Sequence, residues 1–390
     1  MLRFLTAGES HGPELVVVVE GMPAGVAIAL DSIDGDLRRR QSGYGRGARS
    51  TKIESDTAQL VSGVHTGRST GAPIAMRIIN RDFANQPSTP KTLTTPRPGH
   101  ADLAGRAKYG LDDFRTIRER ASARETAARV AAGGIAKQLL TAFGVALGSY
   151  VTQIGMVKAD LIKPHSGKVD AAGLALLGRQ ADTDEVRCPD GAASAAMCNA
   201  IDRASSDGET LGGTFLVFAT GVPSGLGSYV HWDRKLDGRL AQAVCSIHAV
   251  KGVEVGPAFE TSLMSGGMAQ DDIVWAEGKL ERPTNHAGGI EAGVTNGQPI
   301  LVRAAMKPLS SVRRPVRSVD FDTGHPSDPP YVRSDICAVP AAAVVAEAMI
   351  AWVLADALCE RFGSDQLEAM LVARTSLDRA GLPACSDDVF

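Results

Sequence analysis

The apolar positions of this chain fall into short blocks separated by glycine-rich turns, plus two long blocks with almost no polar interruption. Short blocks at residues 14–21 and 26–30, on either side of a Met22-Pro23-Ala24-Gly25 turn, predict a pair of strands. Blocks at 60–64, 73–79, 145–154, 212–220 and 299–306 predict further strands, with Met76-Arg77-Ile78 alternating as a half-buried strand should. Helices are predicted over 196–206 and 236–247. The stretch 160–195 is polar and mixed and predicts no element, and the Pro- and Thr-rich stretch 85–98 reads as a loop.

The first long block, residues 126–140, is almost entirely Ala, Val, Gly, Ile and Leu. So little of its circumference can face water that it predicts a helix buried between layers. Ser122-Ala123-Arg124-Glu125 matches the capping-box pattern and places the helix start near Ser122, while Gly144 marks its end. The second long block predicts a helix with Pro340 at its first position, ending at Gly363. No low-complexity linker or short repeat divides the chain. One large domain over 1–363 is expected, with strands before and after a buried helical layer; residues 364–390 are expected to hold a C-terminal helix and a disordered tail.

Composition narrows the function. Of 390 residues, 41 are basic and 44 acidic, giving a net charge of −3. That balance argues against a nucleic-acid or anionic-membrane binder. The apolar run 339–358 is broken by Glu347 and Asp356, short of the ~18 residues of a clean membrane span, and the N-terminus lacks a signal-peptide pattern, so a soluble cytoplasmic protein is expected. The six cysteines form no C-x-x-C pair, so no metal site or disulfide framework is expected.

Four stretches carry candidate chemistry. Arg115, Arg118, Arg120 and Arg124 crowd the start of the central helix, where free N–H groups and the helix dipole favour an anion; a bound phosphate is the simplest explanation and a solvated basic turn the plain one. Gly8-Glu9-Ser10-His11-Gly12 places a serine and a histidine in the first loop. On sequence alone His11 stands equally for a structural role or an acid near neutral pH. The basic run 36–40 followed by Gly43-Tyr44-Gly45-Arg46-Gly47-Ala48-Arg49 reads either as a phosphate-gripping loop or as a basic surface loop; it is neither a P-loop nor a Rossmann fingerprint. Lys307-Pro308-Leu309-Ser310-Ser311 puts a lysine and paired serines at a strand end, which suits a phosphate or a flavin.

These segments, with Arg97-Pro98-Gly99-His100-Ala101-Asp102, Arg120-Ala121-Ser122, Lys251-Gly252-Val253-Glu254, Asn285-His286-Ala287-Gly288-Gly289 and Arg333-Ser334-Asp335, resemble the chorismate synthase family in its own order, up to about residue 360. The resemblance implies an α+β fold, a β-α-β sandwich with a central helical layer between two antiparallel sheets, assembled as a homotetramer. It implies anti-1,4-elimination of phosphate from 5-enolpyruvylshikimate 3-phosphate to give chorismate, using reduced FMN without net redox change, with NADPH serving only as a flavin reductant. The catalytic positions carried over are His11, beside the departing phosphate; His100, beside the flavin; and Asp335, acting on the proton of flavin N5. The flavin positions are Arg120, Ala121, Ser122, His248, Ala249, Ala292, Lys307, Pro308, Leu309, Ser310, Ser311 and Arg333, with Arg40 and Arg46 as nicotinamide or phosphate contacts. Ser10, Arg40, Arg46, Arg49 and Arg124 are the substrate-binding positions. Three positions depart from the family's usual residues: Glu119 and Ala292 stand where glycine is common, and His248 where Asn or Gln is common. A flavin-dependent reductase and a flavin-binding regulatory protein are the competing readings.

Overall fold

The computed structural model describes residues 1–47, 55–85, 91–161, 163–167, 170–276, 279–314, 316–331 and 334–380. Arg49 and Arg333, both expected at the site, and the tail 381–390 lie outside these residues. Two antiparallel sheets enclose a helical layer, the architecture the family resemblance implied. The first sheet has the order β1-β2-β6-β3, from β1 (Arg3–Ala7), β2 (Glu14–Glu20), β3 (Ala58–Ser62) and β6 (Ile74–Ile79), with a small hairpin of β4 (Val64–His65) and β5 (Arg68–Ser69) beside it. Period-2 alternation turns Leu15, Val17 and Val19 of β2 and Ile74, Met76 and Ile78 of β6 to the core, in a register pairing Val17 with Met76. The second sheet, β10-β15-β9-β7-β8, is built from β7 (Ala146–Ile154), β8 (Val157–Lys158), β9 (Gly213–Thr220), β10 (Val250–Val255) and β15 (Ile300–Met306). Between β10 and β15 run two hairpins, β11 (Val274–Ala276) with β12 (Lys279–Glu281) and β13 (Ile290–Glu291) with β14 (Val294–Thr295).

The helical layer comprises α1 (Leu30–Gln41), α4 (Thr126–Ala142) and α10 (Val339–Phe362). Glycine sets the spacing of α4 against α10: a Cβ on Gly133 would lie 2.4 Å from the Cβ of Ala348. Although α10 has the length and composition of a membrane span, almost all of it is buried against α4, α7 (Leu236–Cys245) and the second sheet. Its one interior charge, Glu347, is fully buried and satisfied: Arg39 donates twice, at 2.6 and 2.9 Å, Lys137 at 2.9 Å and Ser149 at 2.5 Å.

The structure corrects several sequence expectations. Residues 26–30 form no strand: Ala27 makes only an isolated bridge to Arg68, and Leu30 already begins α1. Arg38, Arg39 and Arg40 therefore belong to the last turn of a helix, where cations complement its dipole, and not to a loop. The stretch 160–195 contains α5 (Ala171–Thr183), whose N-cap Asp170 accepts from the Gly173 N–H at 2.8 Å. Leu174 and Ala181 of α5 cover Leu216 and Phe218 on the outer face of the second sheet, so β9 is buried on both sides. α6 (Gly191–Asp207) follows α5, and α11 (Leu367–Ala380) follows α10.

Candidate active site

The site is built from the β1–β2 loop, residues 96–102, the short helix α3 (Phe114–Ala121), the chain around β10 and the end of β15, and two short pieces at residues 46–47 and 334–335. α3 is fixed at its start by Asp113, which accepts from the Arg115 N–H at 2.8 Å. It ends at Ser122, and the chain enters α4 through a single 3-10 turn, Ala123–Glu125. The expected capping box is not formed. Ser122 Oγ accepts from the Arg124 N–H at 3.3 Å, whereas the Glu125 carboxylate turns away to Thr6 Oγ1 at 2.7 Å and Arg129 at 2.9 Å. α4 consequently starts at Thr126.

The last turn of α3 grips the β1–β2 loop. Gly8 lets that loop turn sharply, with φ of +107° and no room for a Cβ, which would sit 2.4 Å from the Glu14 carbonyl. Arg120 donates to the carbonyls of Thr6 at 2.8 Å and Gly8 at 3.2 Å, and Ser122 Oγ donates to Ser10 Oγ at 3.0 Å. Glu119 closes on His11 twice: one oxygen accepts the His11 backbone N–H at 2.7 Å and the other meets Nδ1 at 2.8 Å. Burial pushes the Glu119 carboxyl up, but the two bonds to His11 outweigh it and hold it below the usual carboxylate range.

His100 is held in the same manner. Its Nδ1 lies 2.5 Å from Asp102, a fully buried carboxylate that also accepts the Arg97 N–H and Arg118 Nε, each at 2.8 Å. Burial opposes ionisation of Asp102, yet these hydrogen bonds keep its pKa well below normal. Arg97 lies 3.1 Å from His100 Nε2, and because arginine only donates, Nε2 is the acceptor and Nδ1 carries the hydrogen. Arg97 also donates to Ser311 Oγ at 2.9 Å, Lys307 Nζ donates to the Gly99 carbonyl at 2.9 Å, and Ser334 Oγ donates to the Ser311 carbonyl at 2.9 Å. Asp335, next in sequence, accepts from Arg46 and from the Gly47 N–H, the latter at 2.7 Å.

The structure thus brings Ser10, His11, Arg120, Ala121 and Ser122 into one group, and His100, Lys307, Pro308, Leu309, Ser310 and Ser311 into another that continues to Asp335 and Arg46. α3 joins the two groups through Arg118 and Glu119. His248 feels the charges of Glu125, Arg129, Arg40 and His100, with burial the largest influence on its ring. Ala249, which follows it, is held at φ +64° and receives the Lys307 N–H at 2.9 Å. A non-glycine residue there costs about 1–3 kcal/mol, strain of the kind that gathers at functional sites. Ala292, also left-handed at φ +50°, stands apart: its neighbour Gly293 accepts the N–H of Leu236 at the start of α7, whereas His248 follows the end of that helix. The ten residues of α7 put about 15 Å between these ends.

The arginines have protein acceptors where the sequence suggested a phosphate. Arg115 donates to the Lys91 carbonyl at 2.9 Å, Arg118 to Asp102, and Arg124 to the buried Asp56 at 2.5 Å. Arg40 is buried too, donating to Thr126 Oγ1 at 2.9 Å and the Ala123 carbonyl at 3.0 Å. Sequence reasoning assigned no role to Arg97, Asp102 or Asp56, and left the direction of Glu119 open. Asp102 was within reach of it, as a carboxylate two residues after a candidate histidine.

A family model for chorismate synthase matches residues 2–359. The chain is 49% identical over 398 residues to the chorismate synthase of Desulforudis audaxviator, covering 98% of this chain and 100% of that one. It is 50% identical over 386 residues to that of Symbiobacterium thermophilum, covering 95% and 97%. A crystal structure of chorismate synthase superimposes with a TM-score of 0.81 at 42% identity, covering 97% of this chain and 98% of the other.

Proposed function

For a chain that belongs to the chorismate synthase family, we propose that the carboxylate-backed histidines His11 and His100 handle the protons of a flavin-dependent elimination. The enzyme is a carbon–oxygen lyase acting on a phosphate, its substrate is a small molecule, and its reaction is the last step of the shikimate pathway. The finer reading is anti-1,4-elimination: 5-enolpyruvylshikimate 3-phosphate loses its phosphate and the C6 hydrogen and becomes chorismate.

The residues present suit a bound flavin. His248 Nδ1 is buried without a hydrogen-bond partner, and burial lowers the pKa of its ring, so a neutral imidazole waits for a polar group. It adjoins the strained Ala249, the Lys307–Ser311 segment and His100. These residues, with Arg120, Ala121 and Ser122, would hold the cofactor; Ala292 and Arg333 complete the family's set. When bound, reduced FMN supplies an electron-rich ring that assists removal of the C6 hydrogen.

The protein's own part begins at His11 Nε2, which gives a proton to the departing phosphate oxygen and lessens its charge. Ser10, Arg46 and Arg49 would bind that anion, with Arg40 and Arg124, both held by buried protein acceptors, adding positive potential from behind. His100 presents Nε2 as an acceptor while Asp102 holds Nδ1–H. Asp335, which accepts from Arg46 and from the Gly47 N–H, is the carboxylate that would take the proton given up by flavin N5. NADPH would act only as a flavin reductant, with Arg40 and Arg46 the positions carried over for it from the family. A cytoplasmic homotetramer is part of the same reading; the exposed Phe259, Leu263, Met268 and Trp275, on one stretch of the second half, support association between subunits.

The observation carrying this reading is that one short helix backs both histidines. Its test is an anaerobic assay with 5-enolpyruvylshikimate 3-phosphate and chemically reduced FMN. Equal chorismate and phosphate over many turnovers per flavin supports the elimination. Consumption of NADPH in step with product would favour a reductase, and flavin binding without phosphate release would remove the catalytic assignment. His11→Ala, His100→Ala and Asp335→Ala should each lower kcat by at least about 100-fold while the fold persists.

A further inference from the structure

Glu119, on the last turn of α3, holds His11 both at its main chain and at its ring. We propose that Glu119 is the positioning residue for His11, fixing the rotation and the Nδ1–H tautomer of its ring so that Nε2 exchanges the proton with the leaving phosphate. The inference rests on the elimination proposed above.

Glu119 holds the same short stretch of loop at three points. Its backbone carbonyl accepts the Ser10 N–H at 2.9 Å, and its two carboxylate oxygens take the His11 backbone N–H at 2.7 Å and the ring Nδ1 at 2.8 Å. Main chain and ring are therefore tied to one side chain, which leaves the imidazole no independent rotation about its Cβ. An ionised carboxylate only accepts, so Nδ1 must carry its hydrogen. The carboxylate is the less exposed partner, 16% against 37% for the imidazole, so the ring bridges a protected anion and the more open side of the loop. The step balances from the imidazolium, which carries both ring N–H groups: the Nε2–H bond breaks as the phosphate oxygen gains that proton, and the ring is left neutral with Nδ1–H still on Glu119. His100 and Asp102 repeat the arrangement at 2.5 Å. A carboxylate of this kind secures the productive tautomer without itself reacting.

The plain alternative is an ion pair that merely ties the loop to α3. Four proteins separate the two: Glu119→Ala, Glu119→Gln, His11→Ala, and the double variant Glu119→Ala with His11→Ala. Glu119→Ala should lower kcat by between about 10- and 100-fold with little change in KM. Glu119→Gln, whose amide oxygen still accepts Nδ1–H, should retain more activity than the alanine variant. In the His11→Ala background, removing Glu119 should change kcat no further. Nitrogen NMR of labelled histidine in the wild-type protein, at a pH where the ring is neutral, should show the Nδ1–H tautomer at His11, a readout that needs neither cofactor nor substrate. Wild-type kcat in Glu119→Ala, an undiminished loss in the His11→Ala background, or an Nε2–H tautomer in the wild type each overturns the proposal. A wild-type enzyme that releases no phosphate, or a fully active His11→Ala, overturns the elimination reading itself and the positioning role with it.

Discussion

His248 holds a buried, unpartnered Nδ1, and burial lowers the pKa of its ring below the ordinary histidine value of about 6.5. Lowering of a histidine pKa on folding means that the unfolded chain binds more protons as pH falls. Stability is therefore unaffected well above about 6.5 and declines below it, until the folded ring also protonates. His248→Gln, which cannot titrate, should lose less melting temperature than the wild type between pH 7.5 and pH 5.5; equal losses would show that the ring is not a proton-linked site. At this scale the sequence showed which residue types gather but not their partners. Glu119 was legible as a carboxylate near a basic cluster, yet its direction depends on a loop more than a hundred positions away in the chain. Asp56, which receives Arg124, is likewise brought in by the fold alone.

Elements were most legible where the apolar pattern was strongest. β2, β6, β7, β9 and β15 fall within a residue or two of the predicted blocks, as do α7 and α10, because alternation or unbroken apolarity there reflects burial directly. α1, α2 (Asp102–Tyr109), α3 and α5 were missed: the first three are short and polar, and α5 shows the core only a narrow face. The four-residue helices α8 (Ala258–Thr261) and α9 (Gly266–Ala269) are too short for any period to register. The small residues of α4 permit close approach to a neighbouring helix, and Gly133 against Ala348 is where that approach occurs. Gly133→Ala should force α4 from α10 and cost about 1–3 kcal/mol despite alanine's better helix propensity. Urea unfolding measures it, and a stabilised variant would mean that the helices can separate without cost.

For the whole molecule, the buried charges around Glu347 tie the three helices of the central layer to one another and to the second sheet, since Arg39 comes from α1, Lys137 from α4 and Ser149 from β7. Burial opposes ionisation of Glu347, but Arg39, Lys137 and Arg187 keep its pKa well below the usual carboxylate value. A depressed carboxylate pKa stabilises the fold above the ordinary range near 4.3, and that contribution disappears as pH falls below it. Glu347→Ala should cost about 3–5 kcal/mol by leaving buried cations without their partner. Denaturant midpoints at pH 7 measure that cost, and a loss under about 1 kcal/mol would mean that water reaches the cluster.

Arg118, Glu119 and Arg120 are successive residues of one helix, and successive helical side chains point about 100° apart. Each is spent on a different partner: Arg118 on Asp102 and so on His100, Glu119 on His11, and Arg120 on the loop that carries His11. The two histidines therefore share one phase, like two cams on a single shaft. Lengthening or shortening the chain by one residue just ahead of Arg118 would rotate all three supports together and detune both proton-handling groups at once. This short helix can tolerate changes in its outward residues far better than any change in its count.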